Sequence, residues 1–332
     1  MAIRTKILGT GHYVPDNVVT NKDLEKLMDT TDEWIQQRTG IQERRWITSE
    51  TGASDLALPA TQRALEAAGL KAKDIDAIIF ATLSPDYNFP GSAVLMTQLL
   101  GLPGIAALDI RNQCSGFVYG TQIADAYIRS GMYKHVLMIG SEVHSTGLDL
   151  TNRGRDVSVI FGDGAAAVIY GGSDDEKTGV LATDVGADGT HAKELWLEAP
   201  GSRYMPRLTA EMMAEGKHYP RMNGREVFKH AVRKMPESVM TALGKAGLTL
   251  EDVKLFIPHQ ANLRISEAVQ KALGLPDEKV YNNIQKYGNT TAASIPLAID
   301  ECIRSGKIGK GDVLVCAAFG AGFTWGAAVI RL

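Results

Sequence analysis

Cysteine is scarce in this 332-residue chain, with Cys114, Cys302 and Cys316 the only three. An odd number without a CxxC pair supports neither a disulfide framework nor a thiolate metal site, and it points to a reducing, cytoplasmic setting. HExxH and EF-hand spacings are missing as well, so no metal ligand set is read and no cofactor is expected. No apolar run approaches the length of a membrane span, and the stretch from Met1 to Ile7 is too short and polar for a secretory signal. Runs of basic residues are also missing. Lys and Arg total 35 against 38 Asp and Glu, a net charge of −3, which argues against a nucleic-acid-binding face. What is plentiful is apolar material, at 45% of residues. That is ample for a core, and the length suits two ordinary domains or one large α/β unit.

The chain is organised around Arg111-Asn112-Gln113-Cys114-Ser115-Gly116-Phe117. Upstream, Ile105 to Ile110 reads as a short buried strand. Downstream, Phe117, Ile123, Ala124, Tyr127 and Ile128 recur at helical spacing. Cys114 therefore falls at a helix mouth, where unpaired N–H groups and the positive end of the dipole favour a thiolate. The competing reading of this segment alone is a buried structural cysteine.

Near the start, Gly9-Thr10-Gly11 follows a strand, yet Val14 stands where a third glycine would be and Pro15 blocks a helix. A strand-to-loop turn fits better than a dinucleotide loop. Thr30 or Thr31 caps a predicted helix, Asp32 to Arg38, which Gly40 ends. Trp34 and Arg38 share one face of it, and an aromatic plane beside a guanidinium suits a base and a phosphate. A packed Trp with a solvated Arg is the simpler alternative.

The sequence repeats itself. Ala64, Leu65, Ala68, Gly69, Leu70, Asp74, Ile75 and Ile79 match Ala242, Leu243, Ala246, Gly247, Leu248, Asp252, Val253 and Ile257 at an offset of 242 − 64 = 178. Ser130-Gly131 ahead of an apolar strand recurs as Ser305-Gly306, offset 175, and Phe161-Gly162-Asp163-Gly164 recurs as Phe319-Gly320-Ala321-Gly322. Three echoes in one order indicate two similar halves, 1–177 and 178–332, each βα-rich, with Asp174-Asp175-Glu176 as a solvated turn between them. Through the offset of 175, Cys114 maps onto Asn289, which likewise precedes a predicted helix from Thr290 to Ile303. A pseudo-twofold axis would bring the two helix mouths together. His259, in Pro258-His259-Gln260-Ala261-Asn262, ends the duplicated strand, where ligands collect in α/β sheets. The other six histidines read as bystanders.

With Cys114, the Pro258–Asn262 motif, Gly288-Asn289-Thr290, Phe319 to Gly326, Thr31-Asp32-Glu33-Trp34 and Arg38-Thr39-Gly40-Ile41 assembled, the sequence resembles the β-ketoacyl-acyl-carrier-protein synthase III family of the thiolase superfamily. The resemblance runs from about Ile7 to Leu332. It implies a thiolase-like α/β fold of five layers, α-β-α-β-α, built from two similar halves, and a homodimer. It implies Cys114 as the acyl-accepting nucleophile, with His259 and Asn289 as the pair that stabilises decarboxylation. The chemistry wants these types: a thioester exchanges onto a thiolate at little cost, and loss of carbon dioxide from a malonyl thioester needs two donors at the enolate oxygen. The second oxyanion looks to the backbone N–H groups of Cys114 and Ala321. Ala321 replaces the middle of a common triple glycine, so a positive φ there would be strained. By the same resemblance Trp34, Arg38 and Arg153 clasp the nucleotide end of coenzyme A, Phe89 closes the partner subunit's acyl pocket, and Lys229, Arg264 and Lys271 form a basic rim for an acidic carrier protein.

The expected activity is a decarboxylating condensation of an acyl group from acyl-CoA with malonyl-acyl carrier protein, initiating fatty-acid or related biosynthesis. Segments such as Leu83-Ser84-Pro85-Asp86 and Ala199-Pro200-Gly201-Ser202 look like a branch that includes the anthraniloyl-using synthase of quinolone biosynthesis. The alternatives are therefore an aromatic or longer starter in secondary metabolism, or non-decarboxylating chemistry. The order Cys, His, Asn also occurs in papain-like proteases, but the motif that flanks their cysteine is missing. Met205, Met212, Met213 and Met222 in the segment from Leu195 to Met222 suit either an adaptable acyl pocket or a cover over the core or dimer interface.

Overall fold

The computed structural model describes residues 4–332. Strand β1 (Arg4–Tyr13) continues through Gly9 and Gly11, with a shift in its pairing register between Ile7 and Gly9. A Cβ at either glycine would meet the backbone between Ala60 and Ala68 of the helix that spans Ala53–Ala68, so the Gly-x-Gly pair lets a helix lie directly on the strand and forms no phosphate loop. The chain continues through α1 (Asp32–Thr39), α2 (Ala53–Ala68), β2 (Ala77–Ala81), β3 (Ala106–Ile110), α3 (Gly116–Arg129), β4 (His135–Glu142) and β5 (Gly164–Ser173). It then enters β6 (Gly179–Ala187), α4 (Gly224–Ala246), β7 (Leu255–Pro258), α5 (Leu263–Leu273), α6 (Ser294–Arg304), β8 (Val313–Gly320) and β9 (Thr324–Arg331).

Two mixed sheets result. The first has the order β1-β5-β4-β2-β3 and the second β6-β9-β8-β7. Within each, the sequence-late pair is antiparallel and the crossover pair, β2 with β4 or β7 with β8, is parallel. Val280 makes an isolated parallel bridge to Phe256 in the place that β3 fills in the first sheet. The offset of 178 persists across this plan, since β2 and β7 begin at 77 and 255, α3 and α6 at 116 and 294, and β4 and β8 at 135 and 313.

Helices complete the five layers. α2 covers the outer face of the first sheet, α3 and α6 lie between the sheets, and α4 covers the outer face of the second with α5 beside it. The middle position explains α6, where Ser294 to Asp300 are all buried, so that its first two turns have no solvent face. Cys302 and Cys316 sit in this inner core with Phe117 and Ile295.

One expectation changes, and one open alternative gains a structure. β3 is no buried strand, because it forms the sheet edge and Leu108 is 37% exposed. The 195–222 segment folds into a small hairpin, Leu195–Leu197 with Pro220–Met222, around a short helix; Met205 and Met213 point to solvent, and only Met222 turns into the body.

Candidate active site

Cys114 lies in a 3-10 turn, Gln113–Ser115, that leads into α3. The turn starts at Gln113 with φ 43, a left-handed conformation that L residues rarely adopt. Ser115 Oγ bonds Thr324 Oγ1 at 2.8 Å, which ties the turn to the start of β9. Gly320, the last residue of β8, faces the thiol so closely that a Cβ there would stand 3.0 Å from Sγ. The backbone N–H groups of Cys114 and Ala321 both favour the thiolate. Ala321 is not among the residues with positive φ; that geometry falls on Gly322 (φ 137), so alanine is carried without strain.

The thiol itself differs from the sequence reading. Burial pushes Cys114 up to about 12, with the neighbouring Glu142 adding to the rise, and the two N–H groups only partly oppose it. Desolvation outweighs the helix mouth. Glu142 closes β4, fully buried, and accepts from Thr82 Oγ1 (3.1 Å), Leu83 N (3.1 Å), Ser84 N (3.1 Å) and Ser84 Oγ (2.6 Å). Even so, burial raises its carboxyl to about 7.

His259 follows β7, and its N–H donates to Ala317 O of β8 at 2.7 Å. Gln260 beside it anchors the loop, donating to Pro258 O at 2.7 Å and accepting from Asn283 N at 3.0 Å. The imidazole Nδ1 lies 2.7 Å from Ser294 Oγ at the head of α6. Nε2 is buried without a partner, and burial lowers the ring to about 3, so it is neutral. A buried ring nitrogen left open is costly unless a ligand uses it.

Asn289 is held by its main chain, its N–H donating to Ile160 O (2.9 Å) and its carbonyl accepting from Gly162 N (3.1 Å). Its Oδ1 accepts from Thr291 N at 2.8 Å. A backbone N–H can only donate, so this bond fixes the amide and leaves Nδ2 as the open end. Thus the end of β8 touches Cys114 through Gly320 and Ala321 and holds His259 through Ala317, while Ser294 links His259 to the 289–294 segment. The two helix mouths abut, with Ala292 Cβ 3.4 Å from where a Gly116 Cβ would be. The repeat, however, pairs Gln113 with Thr291 and Cys114 with Ala292, so the mapping of Cys114 onto Asn289 is three residues out. The predicted helix from Thr290 is likewise a 3-10 turn, Thr291–Ala293, followed by α6.

A cleft of about 480 Å³ opens beside this site, lined by Trp34, Arg38, Ile160, Phe228, Asn262 and Arg264 among others. Thr31 caps α1 and Gly40 ends it in the left-handed conformation, as the sequence indicates, which sets Trp34 and Arg38 on one side. The Arg38 guanidinium stands 4.5 Å from the Trp34 ring centroid. Arg155 takes a matching position at 4.7 Å. Arg153 is directed elsewhere: its Nε meets Asp149 Oδ2 at 2.5 Å and it lies over Tyr219. Lys229, Arg264 and Lys271 are exposed, and Arg264 lines the cleft; Arg225, which also lines it, and Arg233 follow the Lys229 face of α4 at spacings of four. Phe89 is 83% exposed. His144, read as a bystander, is buried instead; its place two residues beyond β4 was the available signal.

Comparison with known proteins now decides the family. Two profiles match: 3-oxoacyl-[acyl-carrier-protein] synthase III over residues 108–189 and the C-terminal region of the same synthase over residues 243–332. A β-ketoacyl-[acyl-carrier-protein] synthase III of Caldanaerobacter subterraneus subsp. tengcongensis is 48% identical over 329 residues, covering 99% of this chain and 98% of that one. The chain belongs to the β-ketoacyl-acyl-carrier-protein synthase III family. The Aquifex aeolicus crystal structure of such a synthase superposes with a TM-score of 0.90 at 46% identity, covering 99% and 100% of the two chains. That of Thermus thermophilus gives 0.91 at 43% identity, covering 98% and 99%. The fold is therefore thiolase-like and the chain is an acyltransferase. Among the described residues, no helix is long and apolar enough to cross a membrane.

Proposed function

We propose that this synthase transfers an acyl group from acyl-CoA to Cys114 and condenses it with malonyl-acyl carrier protein, releasing carbon dioxide and starting a fatty-acid chain. The observation that carries the reading is the seat of Cys114 in the turn that opens α3, packed against Gly320 so closely that a Cβ there would stand 3.0 Å from Sγ, with the Cys114 and Ala321 N–H groups favouring the thiolate. A tetrahedral oxyanion formed at that sulfur has two preorganised donors within reach. In the first step Sγ attacks the thioester carbonyl, the carbon–sulfur bond to coenzyme A breaks, and the thiol proton leaves with the coenzyme A thiol.

In the second step the malonyl carboxylate departs as carbon dioxide, and its electron pair passes to the thioester carbonyl as an enolate. His259 Nε2–H and Asn289 Nδ2–H hold that oxygen. Ser294 Oγ accepts the Gln260 N–H at 3.4 Å and gives its own proton to His259 Nδ1, which leaves Nε2 protonated and donating. A ring neutral at physiological pH supplies a donor without a stray charge. The enolate carbon then attacks the acyl carbonyl, and the Cys114 sulfur leaves.

Trp34, Arg38 and Arg155 hold the nucleotide end of coenzyme A in this reading, while Arg153 braces the 149–155 loop. Lys229, Arg233, Arg264 and Lys271 receive the acidic carrier. The chain works as a homodimer through the β3 edge, a view supported by exposed Tyr87, Phe89 and Leu108 on that side, with Phe89 closing the partner subunit's acyl pocket. Intact-mass measurement after incubation with a panel of aliphatic and aromatic acyl-CoAs tests the scheme. A single adduct, lost in Cys114→Ala, is expected, with carbon dioxide released in step with product. An adduct that persists in Cys114→Ala, or product without carbon dioxide, overturns it.

A further inference from the structure

His144 is a second buried imidazole beside this site, 6% exposed, and the mechanism above does not use it. It stands two residues beyond Glu142, and its N–H donates to Asp163 Oδ1 at 2.7 Å. Its ring makes two contacts. Nε2 lies 2.7 Å from Thr291 Oγ1, and the face lies against Phe161 with centroids 4.6 Å apart and planes at 40°.

Both contacts fall on the segments that hold Asn289. Phe161 forms a parallel bridge with Asn289, flanked by the Ile160 and Gly162 hydrogen bonds to its main chain. Thr291 supplies the N–H that fixes the Asn289 amide. Thr291 does so at φ 47, a conformation disfavoured for a β-branched residue, so the surroundings must hold it there. Among the described residues, His144 is the one side chain bonded to the Thr291 hydroxyl.

We propose that His144 is a positioning residue for decarboxylation: by anchoring Thr291 and backing Phe161, it aims the Asn289 amide at the enolate oxygen. The inference rests on the reading of Asn289 as an enolate donor. Burial lowers the ring to about 3, so it stays neutral and the contact persists through the working pH range.

The test separates the two half-reactions in the full-length enzyme. Acyl transfer is followed as labelling of Cys114 by an acyl-CoA, and decarboxylation as carbon dioxide released from malonyl carrier protein. Asn289→Ala probes the underlying reading and should lower decarboxylation alone. His144→Leu and Thr291→Val are each expected to lower decarboxylation by roughly ten- to a hundredfold, the scale of a small misplacement of a catalytic group, with labelling within about twofold. Combined, they should cost no more than the larger single loss. His144→Gln, whose carboxamide reaches Thr291, should recover most of the rate and serves with Thr291→Val if the leucine variant does not fold. Equal losses in both half-reactions, or no loss while Asn289→Ala is impaired, overturn the proposal for His144. If Asn289→Ala decarboxylates normally, the donor reading falls and the proposal falls with it.

Discussion

Gln113 and Thr291, 291 − 113 = 178 residues apart, share a left-handed backbone, φ 43 and 47, and each opens a 3-10 turn that feeds a central helix. The repeat thus preserves a bend and not the side chain that follows it. At 113 the bend delivers Cys114 to Gly320, and at 291 it turns an N–H toward Asn289.

The bend at Gln113 limits what can replace it. Glutamine already bears the usual left-handed penalty and an isoleucine adds branching at Cβ to it, so Gln113→Ile is expected to lower the denaturant midpoint and to slow acyl labelling of Cys114. Gln113→Asn, which tolerates that region, should lose much less. Denaturant midpoints and labelling rates on the same samples check both. A stable isoleucine variant with unchanged labelling would show that the bend does not position the thiol.

Glu142 gives a pH signature. Its carboxyl is raised from 4.5 in the unfolded chain to about 7 in the folded one, so the folded state binds the proton more tightly. Stability from this group is complete below about 4.5 and is lost as the pH climbs through about 7, roughly 3 kcal/mol in total. Glu142→Gln cannot ionise and should escape that loss, so its stability relative to the parent should improve between pH 4.5 and 8. Urea midpoints across this range measure it. The same substitution removes the negative charge that raises Cys114, so alkylation of the thiol at pH 7 should accelerate.

The sequence carried the chemistry further than the geometry. The placement of Cys114, His259 and Asn289 was legible because each sits in a short local motif at a strand or helix end. The repeat was legible too, but not its register: α3 has 14 residues and α6 has 11, and a longer loop after Gly306 restores the spacing by β8. Measuring from the Ser-Gly pair therefore misplaced Cys114 by three. His144 was illegible because its partner is 147 positions away. The rise of the Cys114 thiol was hidden for a similar reason, since the burial and the Glu142 charge that cause it come from other elements. Arg153 and Arg155 differ by two positions, and only the loop conformation decides which one faces Trp34.

Trp34 and Arg38 line the cleft, which Cys114 does not, and the Arg155 guanidinium stands beside the Trp34 ring. Interactions made equally in the ground and transition states raise affinity without changing turnover. Trp34→Ala is expected to raise KM for acyl-CoA about five- to tenfold, the scale of one stacking or cation–π contact, and to leave kcat within about twofold. An acyl thioester without the nucleotide should show no change. Equal effects on both substrates would move Trp34 from nucleotide recognition to a general packing role.

The rim on α4 makes a separable demand. Lys229 is partly engaged by Glu226 at 3.2 Å, whereas Arg233, one turn on, has no salt-bridge partner among the described residues. Reversing both charges, Lys229→Glu with Arg233→Glu, replaces attraction for an acidic carrier with repulsion. Exposed charges of this kind act mainly on encounter and are screened by salt. KM for malonyl-acyl carrier protein should therefore rise roughly tenfold at low ionic strength, and the difference from the parent enzyme should shrink as salt is added. KM for acyl-CoA should hold, because neither residue lines the cleft where Trp34 stands. A loss confined to acyl-CoA, or one indifferent to salt, would place carrier docking on another face.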